Sequence, residues 1–173
     1  RQSPGLGVAA QIAHYASGSA AYSAVVWARQ GVAEVSVTSN LQGVALNLPA
    51  PLAKAADTVL PLRFDNLLLP GNNLPLRDSL ALELGASGSV ASVAYVRDIS
   101  GPAPRVLRGT VAVGLPPGEA VLMPAEGVSA NIHVDTVNAD AWQALAAKLA
   151  DAPTTGTAPS APSGYTPTTL AVQ

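Results

Sequence analysis

Cysteine is absent from this chain and charged residues are scarce, and each shortage excludes a class of function. A chain without cysteine forms no disulfides, no thiolate metal sites and no cysteine nucleophile. Charged residues make up 12% of the sequence, with nine Lys and Arg against eleven Asp and Glu for a net charge of -2. Nucleic-acid binding is therefore not expected, because it depends on a concentrated basic surface.

Long apolar runs and aromatic side chains are scarce as well. No apolar run approaches the ~20 residues that a helix needs to cross a bilayer, so we expect no membrane-spanning segment in this chain. Hydrophobic residues reach 49% although aromatics are only 4%, and glycine and proline contribute 15 residues each. This composition favours many turns and small apolar side chains. The sequence begins with Arg1 rather than methionine, and we interpret it as part of a longer protein.

Apolar and polar residues alternate along much of the chain, which is the pattern of β-strands with one apolar face. Val35 and Val37, for example, alternate with Ser36 and Thr38, and turn-forming residues such as Pro70–Asn73 separate the segments. About eight such segments predict a mainly β fold with a twisted, antiparallel sheet. The apolar sides of the predicted strands include Val35, Val37, Leu80, Leu82, Leu84, Val111, Val113, Ile132 and Val134.

One helix and one linker are predicted near the end of the chain. Asn138 is a plausible N-cap for a helix that extends to Ala150 and packs on the sheet. The predicted anchors on one face of this helix are Trp142, Leu145 and Leu149. We expect residues 1–150 to form the β-rich module. Residues 151–173 are rich in proline and threonine, so we predict that they form a linker that leads into a further strand near Leu170.

The sequence offers no constellation of catalytic or ligand-binding residues. His14 and His133 are isolated, and the carboxylates are scattered along the chain. The segment Gly85–Ser89 lacks the final glycine of a nucleophile elbow and precedes a predicted strand rather than a helix. We therefore expect a protein that is not an enzyme, with no catalytic residue, no metal site and no cofactor.

One segment resembles a known family. Residues Val35–Ala56 contain a strand, the sequence Ser39-Asn40-Leu41-Gln42-Gly43, and a second strand that ends in Leu48-Pro49-Ala50-Pro51-Leu52-Ala53-Lys54. This arrangement is similar to that of the YhdP family in the AsmA-like superfamily of proteobacterial envelope proteins. Asn40 departs from the aspartate that is common there. The segment Val134–Leu145 is similar to the family's strand, acidic loop and tryptophan-bearing helix.

The resemblance implies a location and a function. Relatives are anchored in the inner membrane, extend through the periplasm as a long β-groove, and carry phospholipid toward the outer membrane. On this interpretation the nine apolar strand residues named above are candidates for a groove that contacts phospholipid acyl chains. Other envelope proteins are possible partners. Lys54 is expected to be a solvated charge near the rim of the sheet.

A different function is compatible with the same alternation. The apolar faces would then form a closed core between two sheets. In that case the chain is a structural or protein-binding β-module of the envelope, without a lipid path. The two interpretations differ in whether one apolar sheet face is left open.

Overall fold

The fold was analysed in a computed structural model, which describes residues 15–71, 75–116, 121–133, 140, 143–144 and 169–172. Described residues form ten strands and a short 3-10 turn, so the fold is mainly β as the sequence predicts. The strands are β1 (Ala16–Gly18), β2 (Tyr22–Arg29), β3 (Val32–Ser39), β4 (Val44–Leu46), β5 (Leu62–Leu68), β6 (Arg77–Leu84), β7 (Ala91–Asp98), β8 (Arg105–Val113), β9 (Gly127–Ile132) and β10 (Thr169–Val172).

Eight of these strands form one sheet in the order β10-β9-β8-β7-β6-β5-β3-β2, and β1 pairs with β4 in a separate two-stranded sheet. Neighbours from β2 to β8 are antiparallel, but β9 is parallel to both β8 and β10. The prediction of an antiparallel sheet is therefore wrong at this end. Parallel neighbours need a long crossover connection, and residues 114–126 and 133–168 provide the length. Alternation does not reveal the direction of a neighbouring strand.

The hairpin of β2 and β3 begins the main sheet. Gln30 and Gly31 connect the two strands, and both have positive φ, at 54° and 75°. That combination is typical of a two-residue type I′ turn, whose twist matches that of the flanking strands. Among the described strands β2 pairs only with β3, and all eight of its residues are exposed.

The predicted helix Asn138–Ala150 falls largely outside the described residues. Within it, Asp140 and residues 143–144 are helical and exposed. The described residues contain no α-helix of seven or more residues. The predicted helix anchors and one predicted groove residue also lie outside the described part and stay predictions: Trp142, Leu145, Leu149 and Val134.

Strand pairing accounts for the closest contacts between the described elements. These contacts run between strands that are neighbours in a sheet, and between β6 and the 3-10 turn Ala86–Gly88 that follows it. The other described sheet has only two strands, β1 and β4, against eight in the main sheet. The two described sheets therefore do not form the matched pair of sheets from which a closed sandwich core is built.

Lys54 is buried, which corrects the expectation of a solvated charge. The residue is 8% exposed, and its Nζ donates to the backbone oxygens of Val44 at 2.7 Å and Ala55 at 2.9 Å. Its backbone also pairs with Leu46 through two hydrogen bonds of 2.8 and 3.1 Å. The loop after β4 therefore folds back on that strand, and two backbone carbonyl oxygens satisfy the buried ammonium group.

A buried carboxylate fastens the β2–β3 hairpin to β5. Glu34 is 2% exposed and accepts hydrogen bonds from Trp27 Nε1 at 2.5 Å, Arg29 Nη2 at 2.8 Å and the Leu68 amide at 2.6 Å. Arg29 also donates to the Leu68 carbonyl. The β3–β5 ladder stops at Val35 and Asn66, so these side chains hold the two strands together beyond the backbone pairing.

The same contacts set the charge of Glu34. Burial raises the pKa of this carboxyl, but the hydrogen bonds from the Leu68 amide, Arg29 and Trp27, together with the Arg29 charge, lower it below the ordinary value of 4.5. A carboxyl with a depressed pKa in the folded state stabilises the fold above its unfolded-state pKa. That contribution is lost as the pH falls through the folded-state pKa.

We predict that Glu34→Gln lowers the free energy of unfolding at neutral pH. The carboxylate accepts hydrogen bonds from Trp27, Arg29 and the Leu68 amide, and the NH2 group of glutamine cannot accept a hydrogen bond from any of them. The difference from the parent should shrink as the pH falls below 4.5. Urea denaturation at a series of pH values measures both effects. Glu83→Gln, which changes an exposed carboxylate, should cost little at any pH. If the difference in unfolding free energy between parent and variant stayed the same at acid pH, the depressed pKa of Glu34 would be contradicted.

Candidate functional site

One face of the main sheet collects the apolar side chains, and we call it the apolar face. Residues directly opposite one another on neighbouring strands point to the same side of a sheet. The register places every described groove candidate on this face: Val35, Val37, Leu80, Leu82, Leu84, Val111, Val113 and Ile132. Residues predicted separately from individual strands are thus brought together on one surface.

The apolar face is organised in rows that run across the strands. The central row is apolar on all seven main-sheet strands from β2 to β9: Ala24, Val37, Phe64, Leu82, Val93, Val111 and Ala130. The terminal row lies two residues away along each strand and is apolar from β5 to β9: Leu62, Leu84, Ala91, Val113 and Ile132. Six inter-strand spacings make the central row about 29 Å long.

Much of this surface is partly accessible to solvent. In the central row, Val37, Phe64, Leu82, Val93 and Val111 are all of intermediate exposure, and Ala130 is buried at the β9 end. Residues in a closed core are usually buried throughout. The described residues therefore present a continuous apolar strip that is half-buried rather than covered.

The opposite face of the sheet is polar where β3 meets β5. Asp65 accepts hydrogen bonds from Ser36 Oγ at 2.5 Å and Arg63 Nε at 2.6 Å. Burial raises the pKa of Asp65, but these two donors and the charge of Arg63 lower it below its ordinary value. Where β3 meets β5, the sheet thus has one apolar side and one side that carries charge.

The third row lies two residues from the central row, on the side away from the terminal row, and its members are Val26, Val35, Asn66, Leu80, Tyr95, Gly109 and Val128. In this row an aromatic ring packs where two strands approach closely. Tyr95 is 8% exposed and lies opposite Gly109, where its ring occupies the space that a side chain would fill. A Cβ at this glycine would lie 2.3 Å from Tyr95 Cδ1 and 2.8 Å from the Ala94 oxygen. The missing side chain lets the ring lie flat on β8.

A polar cluster interrupts the apolar face at Asn66, the third-row residue of β5, and in the row beyond it. Arg97 Nε donates to Asp78 Oδ1 at 2.9 Å and Arg97 Nη2 donates to Asp78 Oδ2 at 2.5 Å, so the pair is bidentate. Arg97 Nη2 also donates to Asn66 Oδ1 at 3.2 Å. Asp78 is 4% exposed and Arg97 9%. Asp78 and Arg97 therefore form a buried ion pair at one end of β6 and β7. The other positions of these two strands on this face are apolar.

Sequence analysis missed several members of the apolar face, chiefly Phe64, Val93 and Tyr95. The signal was present for Phe64, since the charged residues Arg63 and Asp65 flank it and mark its side of the strand. The segment around Val93 was recognised as a strand, but its small residues do not distinguish one face from the other. Cross-strand register is needed to assign these residues.

Comparison with known proteins gives one match. A family model described as YhdP protein matches residues 5–173. Neither the curated proteins nor the solved structures provide a match. Among the described residues, no helix is long and apolar enough to span a bilayer, and no three His, Asp or Glu side chains group in a way that could hold a metal ion.

We predict that Gly109→Ala destabilises the fold by about 1–3 kcal/mol, the usual cost of forcing extra volume into a packed site. The added methyl would displace the Tyr95 ring and also meet the Ala94 oxygen. The midpoint of urea denaturation measures the loss. Gly101→Ala is the matched control, because its nearest atom, the Ala103 oxygen, lies 3.8 Å away. Equal denaturation midpoints for the two variants would show that the packing of Tyr95 does not require a glycine at position 109.

Proposed function

Because the chain belongs to the YhdP family, an AsmA-like family of envelope proteins, we propose that its apolar face carries the acyl chains of phospholipid. On this proposal the protein lies in the periplasm as part of a longer chain held at the inner membrane. Its sheet provides one segment of a path toward the outer membrane. The proposed function is lipid transport and not catalysis.

The observation that carries the proposal is the unbroken central row. Its apolar side chains continue across seven strands without a polar residue, and five of them are partly exposed. Burying a hydrocarbon chain contributes about 0.8 kcal/mol for each methylene removed from water. A strip that is continuous across the strands lets an acyl chain move from one strand to the next without leaving an apolar environment.

The alternative is a structural or protein-binding module with a closed core. It requires a second layer packed over the whole apolar face, whereas the second described sheet has only two strands, β1 and β4. The partial exposure of Phe64, Leu82 and Val93 supports the open arrangement. We therefore favour the lipid path, with the closed module as the result that the following experiment would reveal.

We predict that single substitutions Val37→Asp, Leu82→Asp and Val111→Asp in the complete protein block transport while leaving protein abundance near normal. An unpaired carboxylate on the path is costly to desolvate when an acyl chain covers it. The same carboxylate can stay hydrated at a partly open face in the absence of lipid. Rescue of outer-membrane integrity, in cells that lack the parent protein, measures transport, and immunoblotting measures abundance.

Thr38→Asp is the matched control. Thr38 follows Val37 in β3 but lies on the polar face, exposed and opposite Arg63. It receives the same charge on the same strand and should preserve rescue. If every central-row variant that loses rescue also loses abundance, the apolar face is an ordinary core and the structural module is the better function.

A further inference from the structure

The accessible part of the apolar face changes position between β5 and β3. From β5 to β9 it consists mainly of the central and terminal rows, whose members are all apolar and, except for Ala130, partly exposed. On β2 and β3 the terminal row carries hydroxyl groups, on Tyr22 and Ser39. The apolar residues on these two strands belong instead to the central and third rows: Ala24, Val37, Val26 and Val35. The apolar strip is therefore displaced by one row where it passes from β5 to β3.

Only the central row is apolar on both sides of this step. Val37 lies opposite Phe64, and both side chains are partly exposed. In the terminal row Ser39 faces Leu62, and in the third row Val35 faces Asn66, so each of these two pairs contains a polar side chain. We call the pair Val37 and Phe64 the neck. Rows lie two residues apart along a strand, so the neck is one row, or about 7 Å, wide.

The polar side chains on either side of the neck are held in place by hydrogen bonds. Asn66 Oδ1 accepts from Arg97 Nη2 at 3.2 Å, and Arg97 is itself fixed in the buried ion pair. Ser39 Oγ donates to the Ala21 carbonyl oxygen at 2.7 Å and accepts from the Leu41 amide at 3.0 Å. Neither side chain can turn away without losing these bonds. A hydrocarbon chain lying over Asn66 would take its amide group out of water without offering it a hydrogen bond, which is costly.

The dimensions of the neck suit a single acyl chain. An extended acyl chain is an unbranched run of methylene groups, so one row of side chains can accommodate one chain. The chains of one lipid fill half the hydrocarbon thickness of a bilayer, about 15 Å, whereas β3 and β5 lie only about 4.8 Å apart. A chain that crosses the neck is therefore longer than the neck itself. Two chains lying side by side could not both stay on apolar rows as they cross.

On the basis of the proposed lipid path, we infer that the neck lets the acyl chains of a phospholipid cross one at a time. Each chain passes over Val37 and Phe64 in turn, and Asn66 excludes a second chain from the third row. A lipid with a single acyl chain crosses without contacting Asn66. Asn66 is thus a residue that discriminates between lipids by the number of their chains.

Two opposite substitutions at position 66 test this inference in the purified complete protein. Fluorescent phosphatidylethanolamine, which has two acyl chains, and its one-chain lyso form are each transferred between phosphatidylethanolamine–phosphatidylglycerol vesicles, and the rate without protein is subtracted. Asn66→Leu should raise the ratio of the two-chain rate to the one-chain rate about three- to tenfold, because the third row becomes apolar from β2 to β6. Asn66→Asp should lower this ratio, since a carboxylate costs more to cover and can still accept from Arg97.

Asn131→Leu is the matched control. Asn131 lies on β9 opposite Ala112, on the face of the sheet away from the apolar rows. The variant makes the same chemical change as Asn66→Leu but should leave the ratio of the two rates unchanged. The ratio also separates the neck from protein stability, because a loss of folded protein lowers both rates by the same factor.

Leu82→Asp, which places a charge on the central row away from the neck, separates this inference from the proposed function. If it lowers neither transfer rate, the lipid path itself is wrong. If it lowers both rates while the two variants at position 66 keep the parental ratio, the path stands and the neck is overturned. The neck is also overturned if Asn131→Leu changes the ratio as much as Asn66→Leu, or if Asn66→Leu and Asn66→Asp change it in the same direction.

Discussion

Cross-strand register is the constraint on which the rest of this structure depends. Side chains alternate between the two faces of a sheet, so a shift of one residue on any strand would move its apolar side chains to the polar face. A continuous central row requires six strand pairs to keep their alignment at once. The fold fixes this alignment at several points: the tight turn at Gln30 and Gly31, the Glu34 contacts to β5, and the packing of Tyr95 on Gly109. Each of these features lies at a strand end or in a neighbouring row, which leaves the central row free of polar side chains.

Alternation allowed the apolar side of individual strands to be predicted, and the eight described groove candidates do share one face. Alternation does not predict features that depend on residues far away in the sequence. Parallel pairing of β9 arises from long connections, and nothing in the local pattern of Gly127–Ile132 distinguishes it from antiparallel pairing. The burial of Lys54 depends on carbonyl oxygens of β4 and its own loop, and that of Glu34 on the backbone of β5. Charged residues are usually solvated, so only the three-dimensional contacts identify Lys54 and Glu34 as structural.

The polar cluster on the apolar face carries an energetic asymmetry. Replacing both members of a buried ion pair by apolar residues of similar volume is often neutral or stabilising, whereas removing one member costs about 3–5 kcal/mol, because an unpaired charge stays behind. Asp78 and Arg97 are therefore poor contributors to net stability but strict partners of each other. A bidentate pair also fixes the two side chains in one geometry. The boundary between the apolar rows and the charged strand ends is consequently sharp, since neither side chain can leave the pair without a large cost.

The exposed strand β2 has a consequence for how the polypeptide behaves outside its native surroundings. A strand at the end of a sheet leaves one row of backbone amides and carbonyls available to any extended peptide, and natural sheets discourage such pairing with lysine, proline or a short strand. In β2, eight residues long, the only charged side chain is Arg29, there is no proline, and Val25, Val26 and Trp27 are 56%, 66% and 40% exposed. Such a segment combines high β-propensity with low charge, the composition that favours ordered aggregation. Wherever β2 lacks a neighbouring strand, colloidal solubility rather than thermodynamic stability should limit how concentrated the protein can become.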